Sequence, residues 1–157
     1  MKVALAAALA CFSLSAYADN YLCNNGLFRG EGIYRQGTST HTYQAEVKRT
    51  MLNEDSFMIE QAITLPDMTF HTSARIEKNA QGDLKIYQNN GNTQTGEGYC
   101  FADEAASITC HVQKFSRMGN SHEATLHITA DTIYRIGSHS YSGRETVKFH
   151  DHLHRVE

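Results

Sequence analysis

The sequence predicts an all-β fold, a single antiparallel up-and-down β-barrel of about nine or ten strands with little helix. Apolar and polar residues alternate with period two, turn residues interrupt the alternation about every ten positions, and the connections are short. Such alternation gives each strand one apolar and one polar face, as an antiparallel sheet with one dry side requires. Closing the sheet removes its exposed edges, which favours a barrel, and a two-sheet sandwich is the alternative.

The alternation is clearest in three successive segments, 43–51, 57–65 and 70–77. Asn, Asp and Gly, with the single proline, Pro66, lie in the turns that follow these segments, where such residues are favoured. Further strands are predicted near residues 94–101, 107–115, 121–129, 132–137 and 144–155, with a loop from Gly137 to Gly143.

Residues 1–18 have the pattern of a cleaved secretory signal peptide. A lysine precedes an apolar, alanine-rich stretch, and an Ala-Tyr-Ala tripeptide ends at Ala18 before polar Asp19. The apolar stretch is too short to cross a bilayer and no later segment is apolar enough, so no transmembrane segment is predicted. We expect an exported protein, periplasmic or extracellular if bacterial, whose residues 19–157 form one domain. The alternatives are a buried N-terminal helix and a lipid attached to Cys11.

Charge and motifs narrow the function classes. The chain has 14 Lys and Arg against 17 Asp and Glu, a formal net charge of −3. A dedicated nucleic-acid binder usually has a basic face, so no nucleic-acid partner is expected. No Gly-x-Ser-x-Gly, phosphate-binding-loop or His-Glu-x-x-His motif occurs, and no catalytic residues are assigned. We therefore predict a binding protein rather than an enzyme.

Three cysteines follow the signal peptide: Cys23, Cys100 and Cys110. An exported chain meets oxidising conditions, so a disulfide is expected. A hairpin centred near Ala105 places Cys100 opposite Cys110 on one face, within bonding range. A Cys23–Cys100 bond would enclose more chain and stabilise more, but it needs further assumptions about the fold. We predict Cys100–Cys110, which leaves Cys23 as an odd thiol that could join two chains in a dimer.

The first mature strand contains the segment Gly26-Leu27-Phe28-Arg29-Gly30-Glu31-Gly32-Ile33-Tyr34. It resembles the Gly-x-Trp opening of lipocalin-like (calycin) barrels, and most of all the Gly-x-Trp-x-Gly-x-Gly-x-Gly opening of nitrobindins, haem-binding barrels of that group. Phe28 stands where tryptophan is usual, and Tyr34 where the last glycine would be. The resemblance implies a barrel of about ten strands with an internal pocket, a bent first strand and an aromatic plug.

The resemblance also implies two roles near the C-terminus. In nitrobindins the haem iron is held by the histidine of a His-Leu pair, and His152-Leu153 occupies a similar place here. Lipocalins set an arginine of the last strand across the aromatic plug, so Arg155 could lie over Phe28 as a cation–π contact, unless it is a solvated tail residue. The export signal and the cysteines differ from the nitrobindins, which are intracellular.

Three histidines fall on one face of the last predicted strand: His150, His152 and His154. Imidazole is a common ligand of zinc, copper and nickel. Successive positions on one strand face are about 6.5–7 Å apart, so one ion can use an adjacent pair and needs a further ligand. The candidates for that ligand are His122, His127 and His139. The other interpretation is a solvated face, because Phe149 and Leu153 take the opposite side.

Four polar residues interrupt the predicted apolar faces: Arg49, Gln61, Arg135 and Asp151. A polar group inside a barrel must be paired or must meet a ligand or water. One hypothesis is a pocket whose apolar walls hold a tail while Arg49 or Arg135 holds an acidic head, bidentately if it is a carboxylate. The alternatives are bulges that turn these residues outward and an Arg–Asp pair at the barrel mouth.

Three functions are consistent with these features. The leading prediction is an exported, non-catalytic binder of a small apolar or amphipathic ligand. The second is a haem or transition-metal protein that uses the C-terminal histidines. The third is a protein-interaction or inhibitor scaffold, in which side chains fill the barrel and the loops bind the partner.

Overall fold

Strands account for nearly all of the described chain. The computed structural model describes residues 25–90, 93–103, 107–115, 121–140 and 146–157. Its strands are β1 (Gly26–Gln36), β2 (Ser39–Asn53), β3 (Ser56–Leu65), β4 (Met68–Lys78), β5 (Leu84–Asn90), β6 (Thr93–Asp103), β7 (Ser107–Phe115), β8 (Ser121–Ile128), β9 (Thr132–Ser140) and β10 (Val147–Arg155). Those five ranges contain no helix, and so no helix that could span a membrane. The predicted signal peptide, Cys11 and Cys23 lie outside them.

The ten strands close into one antiparallel barrel. Each strand pairs with its neighbours along the chain, and β1 pairs with β10 to complete the ring. In that closing ladder Phe28 lies opposite Arg155 and Gly32 lies opposite Asp151. The predicted up-and-down barrel is therefore confirmed, and the sandwich alternative is wrong.

The predicted loop from Gly137 to Gly143 begins too early, because β9 continues to Ser140. The glycine has another purpose. A Cβ atom added to Gly137 would lie 2.4 Å from the backbone oxygen of Glu123 and 2.5 Å from the ring of Phe149. Glycine inside a strand often marks such a close approach rather than a turn.

One end of the barrel is filled with side chains. Phe28, the residue that the family resemblance suggests as an aromatic plug, is fully buried there at the start of β1. Six other apolar residues that are fully or almost fully buried share this end: Ile76, Ile86, Ile108, Cys110, Ile128 and Leu153. Period-two alternation brings them inside, because every second residue of each strand faces the interior.

A disulfide joins Cys100 and Cys110 across the β6–β7 ladder, where the two residues are direct partners. Both side chains are buried at the filled end. The hairpin register predicted from the sequence is thus confirmed, and with it the pairing.

Replacing Cys100 and Cys110 together with alanine should lower the free energy of unfolding by about 2.7 kcal/mol. The cross-link closes a loop with a sequence separation of 10, so its loss restores conformational freedom to the unfolded chain. Urea unfolding of the oxidised protein and of the double variant measures the difference. A reducing agent should produce the same loss in the wild type and none in the variant. Equal urea midpoints would contradict the prediction.

Candidate functional site

A cavity of about 550 Å³ opens at the end of the barrel where β1 ends and β2 begins, opposite the Phe28 plug. Its apolar lining residues are Tyr34, Ile63, Leu65, Phe70, Val147 and Phe149. Arg135 and Tyr43 line its inner part, and two histidines lie near its mouth. Within the described ranges, no Asp or Glu is among the lining residues. The barrel is therefore filled at one end and open at the other.

A buried ion pair lies between the two ends. Arg135 on β9 and Asp151 on β10 are register partners, and Arg135 also lies opposite Leu126 on β8. Nε of Arg135 donates to Oδ2 of Asp151 at 3.1 Å, and Nη2 donates to the same oxygen. The side chain of Asp151 is 0% exposed and that of Arg135 12%.

Residues from two further strands join this ion pair. Nη1 of Arg135 donates to Oε1 of Gln61 on β3 at 2.6 Å. The guanidinium carbon also lies 4.7 Å from the ring centroid of Phe149. Three of the four polar residues predicted to face the interior therefore meet in one cluster, in which Arg135 is hydrogen-bonded to both Asp151 and Gln61.

Tyr43 completes the cluster from the inward face of β2. Its hydroxyl donates to Oδ2 of Asp151 at 2.8 Å. Burial raises the pKa of Tyr43, and the nearby charge of Asp151 raises it further, while that of Arg135 opposes this. Gly32 makes room for the ring, since an added Cβ would lie 2.1 Å from it. A glycine opposite an inward tyrosine is the signal that could have predicted the contact.

One oxygen of the cluster keeps unused capacity. Oδ1 of Asp151 is buried and accepts no hydrogen bond within the described part of the chain. Oδ2, by contrast, accepts from both Arg135 and Tyr43. A buried carboxylate oxygen without a donor is costly, so the negative charge depends strongly on the Arg135 guanidinium.

Arg49 lies at the filled end and does not line the cavity. Its guanidinium carbon is 5.0 Å from the ring centroid of Phe28, and its Nη1 donates to the carbonyl of Thr129 at 2.9 Å. Burial, together with the nearby charge of Arg155, lowers the pKa of Arg49 to about 10, while the charge of Asp131 opposes this. Of the two arginines predicted to face a pocket, Arg135 lines the cavity and Arg49 does not.

The arginine over the plug is Arg49 rather than the expected Arg155. The Arg155 guanidinium donates to the backbone oxygens of Asn25, Ala130 and Glu157. Its backbone is the direct partner of Phe28, but its side chain links the residue before β1, the β8–β9 turn and the residues after β10. The inward arginine of β2 reaches the aromatic face instead.

The C-terminal histidines lie on the outer face of β10. His150 is half-buried, whereas His152 and His154 are exposed, with ring centroids 4.5 Å apart. None of the three lines the cavity, because β10 stays regular to Arg155 and keeps them outside. The described residues include no group of three or more side chains placed to hold a metal ion. Because His152 lies on the outer face, it is not placed to ligate a haem inside the barrel.

Two of the histidines considered as additional ligands meet at the cavity mouth. His122 on β8 and His139 on β9 are register partners, with Nδ1 atoms 2.9 Å apart and ring centroids 4.2 Å apart. We call them the rim pair. They lie inside the sheet, on the side opposite to His152, so the predicted combination with the C-terminal histidines does not form.

The comparisons with known proteins concern the fold. The structure is similar to that of an S-type phycobiliprotein lyase from Guillardia theta, with a TM-score of 0.58 and 12% sequence identity. The similarity covers 84% of this chain and 88% of the other. No family model matches the sequence, and no curated protein matches it either. The structural similarity and the closed ten-stranded barrel show that the chain has a calycin-like fold.

Replacing Asp151 with leucine should lower the free energy of unfolding by about 3–5 kcal/mol, because it leaves the Arg135 charge buried without a partner. Adding Arg135→Met should restore most of that loss, since the uncompensated charge is then removed too. Urea unfolding of the two single variants and the double variant measures the coupling. A double variant no more stable than Asp151→Leu would contradict the prediction.

An exposed ion pair on the same barrel provides the control. Arg29 and Glu46 pair at 2.7 Å with side chains 58% and 47% exposed. Solvated pairs of this kind contribute about 0–1 kcal/mol, so Glu46→Leu should cost far less than Asp151→Leu in the same assay.

Proposed function

We propose that this protein is a non-catalytic binder of a small apolar or amphipathic ligand. The observation that carries the proposal is the open cavity of about 550 Å³, with apolar walls above a buried polar cluster. Ligand sites are typically concave, about 300–1,000 Å³ in volume, mostly apolar and supplied with a few convergent polar groups. The cavity has each of these features.

The walls favour an apolar tail. Ile63 and Leu65 of β3 and Phe70 of β4 line one side, and Val147 and Phe149 of β10 line another. Phe70 is 49% exposed, and a ligand in the cavity would cover part of that apolar surface. Burying a tail against these side chains supplies the main free energy of binding.

The polar cluster limits how the head group binds. The edge of Arg135 formed by Nε and Nη2 already holds Asp151, so it is not available for a second bidentate carboxylate. The charge of Arg135 is also balanced by that of Asp151. A head group that reaches this depth therefore accepts a single hydrogen bond, and an acidic group is not required.

The open cavity distinguishes this proposal from its alternatives. A filled scaffold predicts side chains throughout the interior, and in this barrel they fill one end. Haem ligation through His152 needs that residue inside, and it lies outside. The similar barrel named above is called a phycobiliprotein lyase, and from it we carry over only the calycin-like scaffold.

We also propose that the protein works in an oxidising compartment after export. The Cys100–Cys110 disulfide supports this, because such bonds persist mainly outside the reducing cytosol. The signal-peptide pattern of residues 1–18 supports it independently.

A tryptophan placed in the cavity should report binding. The chain has no tryptophan, so Phe70→Trp creates a single tryptophan among the lining residues. Titration with cis-parinaric acid, a fatty acid, should shift the tryptophan emission saturably to shorter wavelength, because the acyl chain displaces water from the indole. The control is Ile136→Trp on the outer face, where the residue is 48% exposed against 49% for Phe70 and where the emission maximum should not move. Equal shifts in both variants, or none in either, would count against a site in the cavity.

A matched pair of charge substitutions on β10 sharpens this test. Val147→Glu puts a carboxylate into the apolar wall and should weaken cis-parinaric acid binding about tenfold or more, because the charge loses solvation when the ligand covers it. Lys148→Glu, on the exposed face one residue away, should leave binding unchanged.

The export proposal has a direct measurement. Expression of the full-length chain in a secreting host should yield an exported protein whose intact mass corresponds to a chain beginning at Asp19. Substituting Ala18→Arg should block cleavage at that position. A full-length mass in the secreted wild type would contradict the assignment.

A further inference from the structure

The rim pair presents two imidazole nitrogens to each other. Nδ1 of His122 and Nδ1 of His139 are 2.9 Å apart. Two nitrogens at that distance cannot both direct lone pairs at each other without repulsion, so a proton or a cation must lie between or beside them. With a proton, one imidazole donates and the other accepts. With a metal ion, both accept the same partner.

The separation matches a particular coordination geometry. Metal–nitrogen bonds of about 2.0–2.1 Å that meet at a right angle place their nitrogens about 2.9 Å apart, whereas a tetrahedral angle places them about 3.3 Å apart. Right angles are characteristic of tetragonal Cu(II) and Ni(II), and tetrahedral angles of zinc. A separation of 2.9 Å therefore suits a tetragonal ion as well as a shared proton, and it is shorter than a tetrahedral zinc site requires.

The surroundings hold the two rings in place. His122 and His139 are direct partners on adjacent strands, and the ring of His122 stacks on that of Phe149 at 6.0 Å with an interplanar angle of 9°. The ring of His139 lies 5.1 Å from the same phenylalanine. A preformed pair loses little side-chain entropy when an ion binds.

We propose that the rim pair chelates Cu(II), or Ni(II) more weakly, and leaves further coordination positions open toward the cavity. Copper is expected over nickel and zinc because nitrogen ligands bind it most tightly among these ions. Water, or a donor atom of the molecule bound in the cavity, completes the coordination. This metal site goes beyond the proposed ligand and does not require it.

Copper titration of four proteins tests the site: the wild type, His139→Phe, His154→Phe and the double variant. Phenylalanine keeps an aromatic ring but removes the donor nitrogen. Losing even an outer-shell partner of a metal site costs about 10- to 100-fold in affinity, so His139→Phe should weaken the tightest Cu(II) site by at least about tenfold. His154→Phe disrupts the exposed His152–His154 pair and should leave the tightest site unchanged. Isothermal titration measures both affinities.

The outcomes separate the sites. A loss confined to proteins that lack His139 supports the proposal, whereas a loss in His154→Phe with none in His139→Phe assigns copper to the outer face and overturns it. Affinity equal in all four proteins also overturns it. A second measurement uses the wild type alone, so it does not depend on the folding of variants. Bound Cu(II) should broaden the amide resonances of His122 and His139 before those of His152 and His154, and the reverse order would overturn the proposal.

Discussion

The pairing of β1 with β10 is the constraint on which the rest of this structure depends. Once that ladder closes, every strand has a partner on both sides, and the two faces of the sheet become an inside and an outside with no edge between them. An inward polar side chain then has to find its partner within the barrel. Asp151 on the closing strand does so through Arg135, Tyr43 and, beyond them, Gln61 on β3.

Much of this architecture could be predicted from the sequence, because a period of two residues determines both the strand and the side on which each residue lies. The register of a hairpin is equally local, which is why the partner of Cys100 could be predicted. The same two-residue alternation predicted that four polar residues face the interior, and they do so in the structure: Arg49, Gln61, Arg135 and Asp151.

The contacts across the interior could not be predicted. Gln61 and Arg135 belong to β3 and β9, which are not neighbours in the sheet, so their meeting depends on the diameter and tilt of the closed barrel. The partner of the Tyr43 hydroxyl could not be predicted either, because Asp151 belongs to β10, a strand that does not pair with β2. The family resemblance suggested Arg155 of β10 over Phe28, with a solvated tail residue as the alternative, whereas Arg49 of β2 lies there, because strand alternation does not determine how far a side chain reaches.

The position of the ion pair, halfway between a filled end and an open end, has a consequence for how this fold tolerates change. Sites that share no partner usually affect stability independently of one another. The disulfide and the Phe28 plug lie on one side of the pair and the cavity walls on the other. Substitutions in the walls can therefore alter the shape of the cavity while the filled end continues to specify the fold. The open end can therefore change its ligand specificity by substitution more readily than the filled end, which carries the disulfide and the buried core.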